Sequence, residues 1–174
     1  MDSTVILEDF KKNIVFRLNE SLRFVRTAFE ELSETEVWIR PNDNLSAIGN
    51  LVLHICGNMR QYGIDSLMNY EDNRERDTEF SQTSGLSKNE LLNMLALTVE
   101  EVINSMDSLS PQEMMQKRSV QGFEFTGMGN LIHLTEHLSY HTGQITYAVK
   151  LLKNKDLGFY NGFDLNTKNK KNVS

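Results

Sequence analysis

Three of the four histidines in this 174-residue chain stand four residues apart, at His133, His137 and His141, within "HLTEHLSYHTGQ". Positions four apart differ by about 40° around a helix and by about 6 Å along it. Two imidazoles so placed can aim ring nitrogens at one point, which is the geometric reason H-x-x-x-H recurs in helical metal sites. Three in a row fan over about 80°, which is wide for a single ion. The apolar neighbours separate them. Leu134, Leu138, Ile145, Ala148 and Leu152 fall within about 60° of His141 on a helical projection. His141 is therefore expected to face the interior, with His137 about 40° to one side and Gln144 about 60° to the same side. His133 lies near the edge of the stripe. This pattern points to His137 and His141 as metal ligands, and to His133 as a rim group or a partner that steadies a ligand. By spacing alone, a polar i, i+4 face on an exposed helix is an equally good reading.

A catalytic zinc takes three protein ligands and keeps one position open. The other histidine is His54. Asn50, Asn58 and Gln61 lie within about 40° of it, a wedge of neutral polar groups suited to the wall of a buried pocket. The densest apolar side of the same segment, through Ile48, Val52, Ile55 and Met59, points about 110° away. Periodicity leaves the orientation of His54 open. Cys56 is about 200° around from His54 and reads as a small core residue. Trp38 reads as a packing plug. Met114 and Met115 read as gap-fillers, or as the lining of an apolar entrance.

Other chemistries fit less well. His133, Glu136 and His137 match the inverted zinc-protease signature H-x-x-E-H. That motif wants a distant acidic ligand, and Glu136 points about 140° away from His141. A carboxylate-bridged di-iron bundle needs Glu-x-x-His pairs. The residues three before the histidines are Leu51, Asn130, Leu134 and Leu138. Neither a nucleophile elbow nor a phosphate-cradling glycine loop is present.

The elements that must hold these residues are helical. Leu7, Ile14, Leu18, Leu22, Val25, Phe29 and Leu32 step by threes and fours through a first amphipathic segment, about 3–33. A second, about 45–70, carries only Arg60 and Asp65 as charges and is expected to be mostly covered. A third opens with Ser87 and Glu90 spaced as a capping box and continues through Leu91, Leu95, Val99, Val102 and Met106. The histidine ladder lies on a fourth, about 127–153. Both prolines, Pro41 and Pro111, fall between segments. The expected fold is an all-α four-helix bundle over 1–153 with long, crossover-type connections. Residues 154–174 form a C-terminal extension whose polar end, "NTKNKKNVS", is expected to fray.

A net charge of −6 without a basic stripe argues against nucleic-acid binding. No segment is long and apolar enough for a membrane span, and the N-terminus does not read as a signal peptide. A single cysteine is compatible with a reducing cytoplasm.

"NLVLHICGNMRQY", "HLTEHLSYHTGQI" and the preceding "WIRPNDNLSAIGN" resemble the DinB-like superfamily. The fit is closest to its branch of small bacterial proteins with an H-x-x-x-H-x-x-x-H-T-G-Q motif. The resemblance covers most of residues 1–153. It implies a bundle of unusual connectivity, a homodimer, and a metal triad with one histidine from the second helix and two from the last. Carried onto this chain, the triad is His54, His137 and His141. The ion implied is zinc or nickel, with iron or manganese as further members of the set. Relatives of this kind include S-transferases that use a low-molecular-weight thiol, and isomerases and hydrolases.

The function expected is therefore a metal-dependent thiol S-transferase or a related hydrolase acting on a small molecule. Asn58, Gln144 and Tyr62 are the candidates to orient ligands or donate to substrate, and no residue stands out as a general base. The alternative is a non-catalytic, stress-related bundle with a structural metal or none.

Overall fold

The computed structural model describes residues 2–170. Helix α1 (Ser3–Glu30) begins at Asp2, whose carboxylate accepts the Thr4 amide at 3.0 Å. All of its expected core residues, from Leu7 to Phe29, are buried, as is Leu32 just beyond it. A 3-10 turn, Glu36–Trp38, leads to α2 (Ile48–Arg60). This helix continues through a π-helical turn, Gln61–Asp65, into α3 (Ser66–Met68). Short α4 (Arg76–Ser81) follows, then α5 (Lys88–Asp107). The cap of α5 is the reciprocal box expected: Ser87 Oγ accepts the Glu90 amide at 3.2 Å, and Glu90 Oε2 accepts the Ser87 amide at 2.8 Å. Next come α6 (Pro111–Met114), strands β1 (Lys117–Val120) and β2 (Phe123–Thr126), and α7 (Gly127–Lys153).

The long helices do not pack in chain order. Helix α1 contacts α5 and α7, and α2 contacts the same two. The order around the bundle is thus α1, α5, α2, α7, with α1 and α2 across the diagonal. Segments 31–47 and 108–126 carry the chain over the ends of the bundle. That is why these connections are long, and it matches the crossover expected. The core between the helices includes Leu18, Val25, Phe29, Val52, Ile55, Leu91, Leu95, Leu134 and Leu138, all fully buried. Each such side chain contributes roughly 1.5–3 kcal/mol through removal from water.

Two features add to the expected bundle, and one shortens the expected stripe of α7. The connection before α7 contains an antiparallel hairpin, with Lys117 opposite Thr126 and Val120 opposite Phe123. Its two-residue turn places Gln121 at φ +52° and Gly122 at φ +81°, a left-handed pair that matches the twist of the flanking strands. The polar stretch after α2 contains α4, which packs against α2. Leu152 is exposed, and the last turn, 150–153, has no buried residue. The apolar stripe ends instead at Val149, which is buried.

Trp38 does serve as a plug. Its ring lies against Gly49, where an added Cβ would come within 2.9 Å of it, and its Nε1 donates to Leu86 O at 2.9 Å. Met114 fills a fully buried position, while Met115 is exposed. Beyond α7, Phe159 stacks on Phe24 at 4.3 Å between centroids, and Arg23 donates to the Phe159 carbonyl at 3.0 Å. Part of the tail expected to fray, residues 171–174, lies outside the described residues.

The end of α7 is tied to the 3-10 turn. Lys153 Nζ donates to both Glu36 oxygens at 2.7 Å. That bond, with a further one from the Ser33 amide, holds the Glu36 carboxyl down at about 2. A carboxyl depressed by folding stabilises the fold above its unfolded value, and the contribution is lost as pH falls through the folded value. Glu36→Gln is therefore expected to melt below the parent at pH 7. The gap should close between about pH 4.5 and pH 2. Thermal scans across that range test it, and a gap constant with pH would show that the ion pair is not its source.

Candidate metal centre

Packing of α2 against α7 brings His54, His137 and His141 together. One ring nitrogen from each lies within 4.8 Å of the others. His54 and His141 are buried and His137 is half-buried. The Nε2 atoms of His54 and His137 are 3.1 Å apart. Two nitrogens bound tetrahedrally to one zinc stand about 3.4 Å apart, so this pair is already near the separation an ion requires. Drawing in the widest pair needs movement on the order of 1 Å.

His54 is held from behind by a carboxylate that periodicity does not mark. Its Nδ1 donates to Glu79 Oε2 at 2.7 Å. The side chains of Glu79 and Arg74 are themselves buried, and Arg74 Nε donates to Glu79 Oε1 at 2.7 Å. Arg74 also donates to Gln61 Oε1 at 2.8 Å, and Gln61 Nε2 to Asp72 Oδ2 at 2.5 Å. Burial pushes the Glu79 carboxyl up, but the hydrogen bonds from His54 and Arg74 outweigh it and keep the group ionised.

Asn50 has a different task from the pocket wall expected of it. Its amide donates to the carbonyls of Glu79 at 2.9 Å and Gln82 at 2.7 Å, pinning α4 onto α2. Arg40 adds a hydrogen bond to the Phe80 carbonyl, and the Phe80 ring lies 4.7 Å from that of His54.

His141 is fixed by its own helix. Its Nδ1 donates to Gln144 Oε1 at 2.6 Å, which sets the orientation of the ring. With Nδ1 protonated on both His54 and His141, each Nε2 presents a lone pair toward the shared space. His137 Nε2 then donates to His54 Nε2, and its buried Nδ1 is left without a partner. Burial, and then the neighbouring His141, His54 and His133, push His137 down to about 3. Burial and the nearby His54 also lower His141, against the Gln144 hydrogen bond. Metal binding requires the neutral imidazole, and these surroundings favour it. A triad of neutral donors with two fixed tautomers and one unsatisfied buried nitrogen fits a divalent ion.

His133 stands outside the triad, at its rim. It stacks on Tyr62 at 4.1 Å and meets Asn58 Nδ2 at 3.3 Å. Tyr62 is buried, and its hydroxyl donates to Gln121 Oε1 in the hairpin turn at 3.1 Å. Asn58 Oδ1 is buried and unpartnered. Glu136 is exposed, away from the triad. Cys56 is a buried core thiol, pushed up to about 12 by burial. A cleft of about 590 Å³ lined by Cys56, Gly57, Arg60, Arg74, Glu79 and Thr98 lies on the far side of the Arg74–Glu79 pair.

Gly57 makes room for the supporting carboxylate. A Cβ there would sit 2.0 Å from Glu79 Oε1 and 3.0 Å from Arg74 Nε. A carboxylate held on both sides yields only by leaving His54. Gly57→Ala is therefore expected to weaken metal affinity by roughly 10–100-fold. Alanine favours the helix by about 1 kcal/mol over glycine, so affinity, measured against a chromophoric chelator, is the sharper readout. Unchanged affinity would show that Glu79 does not set His54.

A family model described as "Protein of unknown function (DUF1572)" matches residues 6–160. No curated protein matches the chain. Among solved structures, a conserved protein from Enterococcus faecalis is similar over 83% of this chain and 97% of its own, at 14% identity and a TM-score of 0.70. A DinB-like protein from Bacillus subtilis, YjoA, is similar over 85% of this chain and 96% of its own, at 18% identity and a TM-score of 0.64. At those identities the likeness is one of fold. With the family match spanning nearly the whole bundle, the chain belongs to the DUF1572 family.

Proposed function

We propose that this chain is a divalent-metal-dependent enzyme in which His54, His137 and His141 hold the ion. The observation that carries the reading is the pair of acceptor oxygens that stand behind His54 and His141. Glu79 and Gln144 each accept a hydrogen bond from an Nδ1–H, which turns the Nε2 lone pairs of His54 and His141 to the shared space. The acids at the site lie behind the histidines, so an ion held by three neutral donors keeps its full double-positive charge. When bound, such an ion supplies the Lewis acidity that brings a thiol or a water toward ionisation near neutral pH.

This donor set supports thiol-dependent S-transfer or the related hydrolysis of a small-molecule substrate. Zinc or nickel is the ion proposed first, and iron or manganese after them, since imidazole suits several first-row metals. A low-molecular-weight thiol is the proposed co-substrate for the transfer. The half-buried His137 and the exposed Gln144 lie on the side open to solvent, where a substrate would enter. We place the enzyme in the cytoplasm as a homodimer. Among the described residues, no helix is long and apolar enough to cross a membrane.

The test begins with untagged protein. Metal content should be close to one divalent ion per chain. Cobalt(II) added to the chelated protein should give a visible spectrum that changes when a small thiol is added. Metal retained with no response to thiol, and no turnover in thiol-transfer and hydrolysis screens, would favour the non-catalytic alternative.

A further inference from the structure

The wall beside the triad is aromatic. Tyr62 and His133 stack at 4.1 Å with 29° between planes. Phe125 follows His133 at 6.4 Å and 16°, and Phe123 follows Phe125 at 6.0 Å and 19°. At the inner end, His133 is 5.9 Å from His137. The rings thus form a row of similarly tilted planes from the triad to the hairpin. Burial falls along it: Tyr62 is buried, His133 and Phe125 are half-buried, and Phe123 is 58% exposed.

Both phenylalanines project from the same face of β2, because side chains two apart share a face. Tyr62 is anchored at its hydroxyl by the hairpin turn, which ties the row to the hairpin. Tyr62 covers one face of His133 from within, which leaves the half-buried His133 and Phe125 and the exposed Phe123 to meet another π-system, and pairs of this kind gain more than their buried area.

We propose that the row His133–Phe125–Phe123, backed by the buried Tyr62, is a substrate subsite for a flat, conjugated apolar group such as an aryl ring, whose reactive head lies at the histidine triad. The proposal rests on the metal-site reading for the position of the head, but not for the subsite itself.

Two titrations separate them. In chelated protein, 2-naphthol should shift the ring signals of His133 and Phe125 in NMR spectra, while cyclohexanemethanol should not. In zinc-loaded protein, benzohydroxamate should bind about tenfold more tightly than acetohydroxamate by calorimetry. Cyclohexanecarbohydroxamate should fall close to acetohydroxamate. Phe125→Leu and Phe123→Ala should each shrink the benzoyl advantage to threefold or less and leave acetohydroxamate unchanged. Equal shifts from the two alcohols, or equal affinity of the cyclohexyl and phenyl compounds, would overturn the subsite. Naphthol shifts without acetohydroxamate binding would overturn the metal reading alone and keep the subsite.

Discussion

His54→Ala, His137→Ala and His141→Ala should each abolish stoichiometric metal binding. Loss of a group that only supports a ligand costs about 10–100-fold in affinity, and loss of a ligand costs more. A helical pair at i, i+4 holds an ion at two points, whereas the third donor arrives from another helix. His54→Ala removes that third donor and also strips Glu79 of its 2.7 Å hydrogen bond. His137→Ala removes an imidazole whose buried nitrogen has no other partner, so its metal-free stability should change least of the three. Metal content and chelator competition, compared with melting of the metal-free forms, separate loss of a ligand from loss of the fold. Any one of the three binding within tenfold of the parent would remove that histidine from the ligand set.

Arg74→Ala should be the most damaging substitution away from the histidines, costing about 3–5 kcal/mol in the metal-free protein. The reason is asymmetric. The Glu79 side chain is only 10% exposed, and removing its guanidinium partner leaves a buried carboxylate without a cation, held by the His54 hydrogen bond. The same change frees Gln61 Oε1, adding an unsatisfied acceptor to the cost. Adding Glu79→Gln to Arg74→Ala should recover much of the loss, because the orphaned charge goes with it. Urea denaturation of the parent, both singles and the double, in chelator, tests this. A double variant as unstable as Arg74→Ala would show that packing by the arginine stem, not charge, supports the site.

These two effects also mark what could be read in the residue pattern. The stripes of α1 and α5 were legible because each side chain repeats a local period, and all their named residues are buried. His141 was legible for the same reason: Leu134, Leu138 and Ile145 flank it on α7. His54 was not, since the apolar side of α2 points elsewhere and the wedge around it is covered by α4, an element without a strong period of its own. Glu79 and Arg74 sit five residues apart in a polar stretch, and only long-range packing makes them a pair. The hairpin had a weak signal, an alternation around Gln121-Gly122 in "RSVQGFEF", diluted by a turn pair less favoured than Asn-Gly.

Asn50 anchors two carbonyls three residues apart, those of Glu79 and Gln82. Lineages can ordinarily lengthen or shorten a hydrophilic connector without penalty. Here the span from Asp72 to Gln82 works as a measured strap, and one inserted residue would carry Glu79 past its histidine. Drift in length should therefore be confined to the tail after Phe159 and to the tip near Ser84 and Gly85, so that a segment resembling filler is inherited at constant size.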